Sequence, residues 1–339
     1  MLQVRHPRLY DTCSRTCAPV RQTRVVVLKS LLLGIHLLCV NVAAVGPLFC
    51  LALLYSRNAQ AAPLARWIAR TCCLALFVGM LLGGTIMGLY SFGGAALDGK
   101  RFYQALLTIP HDRLWWAAAE LVFYYLCMLP VVRYWKPLAA RRWPIALLCL
   151  LSATNLIYHF TPMFVVVGYL QTTLQTTQQT TPLAEPLTGR ALVALYFTPP
   201  VLARITHHLL AAVAIVAGLL VLRTASEKLR ADSPEVKNQF NSLTRRGAVW
   251  VLCATLLEIP SGIWFLLSLP PATQRELLGG NLWAAAGFGV ATVLVLLLLQ
   301  KSLAVALGET ARRDARHLAG LLVTIVLLMT GLLPALMAG

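Results

Sequence analysis

Hydrophobic and polar positions separate along this chain into long blocks. Charge-free or nearly charge-free runs occupy Leu31–Tyr55, Thr71–Phe92, Leu114–Val132, Trp143–Leu170, Val201–Leu222, Gly247–Leu269, Asn281–Gln300 and Leu318–Gly339. Each can cross a hydrocarbon core as a helix, which takes about 20 residues at about 1.5 Å per residue. Lipid offers no partner to an open backbone, so the pattern predicts an all-α polytopic membrane bundle of about eight transmembrane helices. The helices are expected near 31–55, 71–92, 114–132, 143–170, 197–222, 247–269, 281–300 and 318–339, as one transmembrane domain over 31–339 behind a basic tail, 1–30. The first run exceeds the roughly 7–15 residues of a signal-peptide core and lacks a small-residue cleavage site, so it counts as a helix.

The connections are short or polar. Gln171–Thr181, rich in Gln and Thr and followed by Pro182 and Pro186, predicts a loop without a fold of its own. Arg223–Arg246 carries both signs of charge and predicts a short cytoplasmic helix or coil. Neither a separate soluble domain nor an internal repeat is evident.

Composition agrees: 58% of the 339 residues are hydrophobic and 12% charged, with a mean hydropathy of +0.72, where soluble domains carry about a quarter charged residues. The net charge of +17 would suit nucleic acid, but the basic residues cluster at the mouths of apolar segments. That distribution sets orientation in a bilayer and makes lipid, not nucleic acid, the expected partner. Alternate connections hold 17 Lys and Arg against 6 in the others. The positive-inside rule then puts the basic loops in the cytoplasm and both termini outward in the inner membrane. The tail, with Arg5, Arg8, Arg15, Arg21, Arg24 and Lys29, pulls the other way and is outweighed by the four loops. Cys39, Cys50, Cys72, Cys73, Cys127, Cys149 and Cys253 lie in apolar runs and Cys13 and Cys17 in the tail, with no CxxCH, so covalent c-type haem is not expected.

Polar side chains inside the spans are costly there and therefore informative. They include His36, Asn41, Glu120, Asn155, His159, Arg204, His207, His208 and Glu258. With the termini outward, His36, His159 and the His207/His208 pair fall in one outer leaflet, on three different helices. Facing helices build haem or metal sites from such imidazoles. The plain alternative is a hydrogen-bonded packing histidine. His6, His111 and His317 sit at span mouths or in the tail. Glu120 and Glu258, the carboxylates inside spans, suit proton relay, iron binding or pairing with Arg204; their plain alternative is a neutral acid bonded to a backbone carbonyl. Pro260 and Gly262 follow Glu258 and suit a local kink. In GMLLGGTIMG, Gly79, Gly83, Gly84 and Gly88 fall at four-residue spacing, a pattern for close helix packing that also suits a planar macrocycle.

Several of these stretches resemble the haem-bearing quinol oxidase subunit I of cytochrome bd: GIHLL with His36, AAELVFYY with Glu120, ARITHHLLAAVAIVAGLLVL with His207 and His208, and LLSATNLIYHFTPMFVVVGYLQ. The resemblance covers roughly residues 31–222. The family's long loop after its sixth helix and its Gly-Arg-Gln-Pro-Trp stretch are missing, and the third helix has one acid where two are expected. What the resemblance implies is a shortened, divergent relative: a subunit of a respiratory complex binding haem b, partnered by other membrane subunits or a cytochrome and by quinol. An oxidoreductase subunit is implied, without the full quinol:oxygen reaction. Iron is expected on His36 and His207, with His159 next and Met329 as a thioether opposite His207. Arg204, three residues before His207, shares its helical face and suits a haem propionate.

Two other classes stay open. A transporter or channel would line a polar path with Glu120, Glu258, Arg204 and the histidines, although no inverted repeat of broken helices is evident. A noncatalytic assembly subunit would use the histidines for packing and the glycine face for a partner.

Overall fold

The computed structural model describes residues 10–92, 99–176, 186–308 and 312–337, with side chains from residue 27 to 173 and from 186 to 331 within those ranges. Among the described residues the chain forms α1 (Tyr10–Leu54), α2 (Ala61–Phe92), α3 (Gly99–Leu107), α4 (His111–Arg133), α5 (Trp135–Ala139), α6 (Trp143–Thr154), α7 (Thr161–Thr176), α8 (Gly189–Tyr196), α9 (Pro199–Arg230), α10 (Pro234–Leu267), α11 (Pro271–Arg275), α12 (Leu282–Leu307) and α13 (Arg312–Met337). Asn155–Phe160 and Glu276–Gly280 are π-helical turns, and there is no strand among the described residues. Eight segments are long and apolar enough to cross a membrane: Val27–Leu54, α2, α4, Trp143–Thr173, α9, α10, α12 and Arg312–Gly331. The protein is an all-α polytopic membrane bundle.

Charge exclusion located the spans and understated the helices. α2 starts at Ala61 and carries Arg66 and Arg70 on its first turns, because a charged side chain leaves the lipid without breaking the backbone ladder. α9 continues to Arg230, where Glu227 lies 2.7 Å from Arg223 and 3.5 Å from Arg230. α10 begins at Pro234, with the Ser233 side chain accepting from the Val236 amide. The segment Arg223–Arg246 is therefore the ends of two long helices around a tight turn, not a separate short helix or coil. Likewise α1 runs from Tyr10 through most of the basic tail, for 45 residues in all. α7 carries the Gln/Thr stretch helically to Thr176, and 177–185 lie outside the described residues.

α1 is the central helix: 67% of its apolar window is buried inside the bundle, against 17% for α12. Its partners approach closely because small residues stand at the crossings, as expected where lipid supplies little hydrophobic drive. A Cβ on Gly46 of α1 would run into Cys72 Sγ of α2, and at the α9–α13 crossing one on Gly218 would run into Leu322. The buried Tyr124 hydroxyl of α4 donates to the Ala43 carbonyl of α1 at 2.8 Å. Successive spans alternate in direction. One face of the bundle thus carries the starts of the α1, α4, α9 and α12 spans, the ends of α2, α7, α10 and α13, and the short helices α3, α8 and α11. The opposite face carries the tight connections after Leu54, Arg133, Arg230 and Leu307.

Candidate functional site

His36 lies near the start of the first span. Its Nδ1 stands 2.8 Å from the Gly79 carbonyl oxygen of α2. A carbonyl oxygen only accepts, so Nδ1 carries a proton, and in the neutral ring Nε2 then has the lone pair. The ring lies along the glycine face one turn further on, where a Cβ on Gly83 would fall 3.0 Å from His36 Cε1 and 3.9 Å from Nε2. Gly79 itself packs on Cys39 and Val40, while a Cβ on Gly84 or Gly88 would meet nothing within 4 Å. The four glycines thus divide: Gly79 and Gly83 seat α1 and its imidazole, and Gly84 and Gly88 do not.

His207 and His208 leave α9 in different directions, as adjacent helical residues must. His207 faces α10: a Cβ on Gly262 would fall 3.6 Å from its Cε1, and its ring centroid is 6.0 Å from that of Phe265. Its Nδ1 is buried without a hydrogen-bond partner. His208 lies within electrostatic range of both His207 and His36. Three imidazoles from α1 and α9 therefore stand together at one end of the bundle.

Arg204 occupies the same face of α9 as His207. Its guanidinium carbon is 5.3 Å from the Phe265 ring centroid and 5.9 Å from that of Tyr169, a cation–π arrangement that replaces water around the charge. Its Nε is buried with no hydrogen-bond partner. The expected pairing with Glu120 or Glu258 is not formed among the described residues; aromatic faces hold the cation instead. Glu258 is one helical turn before Gly262, on the stripe of α10 that meets His207. Pro260, inside α10, withholds an amide proton from the turn that carries Glu258.

Glu120 and His159 make a second constellation. His159 Nδ1 is 3.7 Å from Glu120 Oε1, too long for a hydrogen bond, and the His159 side chain is 47% exposed. The Asn155 amide donates to the Glu120 main-chain oxygen at 2.8 Å. Asn155 and His159 both belong to the π-helical turn between α6 and α7, a feature that widens a helix locally and recurs at functional sites. Arg113 lies within electrostatic range of Glu120. Burial pushes the nearby Tyr196 hydroxyl above its ordinary range, Arg113 opposing and Glu120 adding. Met329, half-buried, precedes Thr330 on α13. A Cβ on Gly34 would fall 2.9 Å from Thr330 Oγ1, so this turn of α13 packs on α1 about half a turn from the His36 level.

Sequence reasoning found the imidazoles and missed what orients them. Gly83 was legible as part of a small-residue repeat, whereas nothing in the sequence pattern singled out Phe265, Tyr169 or Arg113. Among the described residues no three His, Cys, Asp or Glu side chains converge on a metal-sized point; haem requires one or two axial ligands, not such a cluster. No protein-family model, curated protein or solved structure matches the chain.

Proposed function

We propose that this chain is a b-type haem-binding integral membrane electron-transfer protein, an oxidoreductase subunit of a respiratory complex related to cytochrome bd. The observation that carries the reading is His36, whose Nδ1 donates to Gly79 while Nε2 keeps its lone pair. Iron-binding imidazoles are commonly oriented this way, the second nitrogen fixing tautomer and ring plane through a backbone carbonyl. The neighbouring residues fit the group. His207 has an unpartnered buried Nδ1 and Arg204 an unpartnered buried Nε, and the absence of a side chain at Gly83 lets the His36 ring lie against α2. When bound, haem iron cycles between ferric and ferrous states and so passes single electrons.

The chain's own residues then have separate tasks. His36 and His207 present nitrogen lone pairs to iron, His208 sets the polarity between them, and Met329 offers a thioether from α13. Arg204 neutralises a carboxylate of the macrocycle, and Phe265 and Tyr169 keep water from that ion pair. Electrons arrive from quinol or from a neighbouring membrane subunit or cytochrome. The basic loops face the cytoplasm and both termini face outward from the inner membrane. A reduced-minus-oxidised spectrum of the solubilised chain tests the reading: a sharp α-band of low-spin haem b is expected, and an intact protein with a flat difference spectrum would refute it.

A second reading rests on Glu120 and His159. Their 3.7 Å approach beside a π-helical turn suits a proton or ion path through a transporter or channel. Proteoliposomes holding the haem-free chain would then show a flux that Glu120→Gln abolishes.

A further inference from the structure

A second site lies at the opposite face of the bundle, between the first turns of α10 and the last turn of α12. A cleft of about 760 Å³ opens there, lined by Asn238, Ser242, Arg245, Arg246, Trp250 and Gly308, among others. Among the described residues no carboxylate lines it. Asn238, Asn241, Arg245 and Val249 make one stripe along α10, and Ser242, Arg246 and Trp250 make the next, so polar, cationic and apolar positions follow one another down a single helix face.

Depth gives the stripe its meaning. From Gly247 to the end of α10 the helix is about 30 Å long at about 1.5 Å per residue, the thickness of a hydrocarbon core. Arg245 and Arg246 therefore stand at the boundary, Asn238 and Ser242 on the headgroup side, and Val249 and Trp250 in the acyl region. Val249 and Trp250 expose 46% and 55% of their surface to that region. Arg245 is held in place: its Nε donates to the Ala306 carbonyl of α12 at 2.9 Å, leaving its terminal amino groups as donors. The last turn of α12 ends at Gly308, whose φ of +129° turns the chain away.

We propose that this cleft binds the headgroup phosphate of an anionic phospholipid, with Arg245 and Arg246 on the phosphate and Trp250 and Val249 against the first acyl carbons. A basic pocket between spans at the basic face of a membrane protein is suited to such a headgroup, and among the described lining residues the charged ones are both arginines. A soluble phosphate would use the arginines and leave the apolar half of the cleft idle.

Native mass spectrometry of the full detergent-solubilised chain tests this, with phosphatidylglycerol, phosphatidylcholine and inorganic phosphate as separate probes. Phosphatidylglycerol should remain bound at least ten-fold more than phosphatidylcholine, and inorganic phosphate at equal concentration should not displace it. Arg246→Gln, which leaves the Arg245–Ala306 bond in place, should cut retention several-fold, and Arg245→Gln/Arg246→Gln should remove the preference. Lys136→Gln/Arg141→Gln, which removes the same charge elsewhere on that face, should keep it. Equal retention of the two lipids, displacement by phosphate alone, or an unchanged preference in Arg246→Gln would each overturn the proposal.

Discussion

The Nδ1 proton of His36 is committed to the Gly79 carbonyl oxygen at 2.8 Å, which ties the imidazole of the central helix to the backbone of its neighbour. The glycine one turn on, Gly83, lies against the Cε1 edge of the ring. Gly83→Ala should push a Cβ to 3.0 Å from His36 Cε1 and cost about 1 kcal/mol, as overpacking does. It should also move the haem α-band or midpoint potential, because ligand orientation changes. Gly84→Ala meets nothing within 4 Å and should stabilise by a few tenths to about 1 kcal/mol through helix propensity alone. Thermal melts and spectra of the two variants check the contrast; equal behaviour would remove Gly83 from the site.

His207 faces α10, and His208, adjacent on α9, points in another direction, within electrostatic range of His36. With His207 as the iron ligand, His207→Ala abolishes the low-spin b-type spectrum and His208→Ala retains it with a shifted potential. The reverse pattern assigns the iron to His208 and the α1–α9 side of the site.

Glu120 and His159 stand apart from that group, with His159 47% exposed. Glu120→Gln should therefore leave the haem spectrum unchanged, since the 3.7 Å approach to His159 makes no hydrogen bond that the haem ligands depend on. Loss of haem in Glu120→Gln would join the two constellations into one site.

Much of the architecture was legible because lipid punishes charge: each apolar run coincides with a span. Helix ends were less legible, since Arg66, Arg70 and Glu227 sit on helices that outlast the apolar window. The imidazoles were legible as rare polar residues among apolar ones. Their orientation was not, because it depends on a carbonyl of Gly79 and on rings of Phe265 and Tyr169 brought from distant segments. The π-helical turn at Asn155–Phe160 left no mark in composition, as it inserts no unusual residue. The placement of His159 beside Glu120 followed from it.

The proposed orientation rests on 17 basic residues in one set of connections against 6 in the other. Reporter fusions in the α9–α10 turn should read cytoplasmic and fusions at the C-terminus should read outside. A cytoplasmic C-terminus would invert the bundle and move the imidazoles to the inner leaflet.

The most direct measurement is the haem content of the purified, detergent-solubilised chain by pyridine haemochrome. The account predicts haem b at one or more equivalents per chain, reduced by His36→Ala and by His207→Ala. A monodisperse, helical protein produced under haem-replete conditions with no haemochrome signal would contradict it.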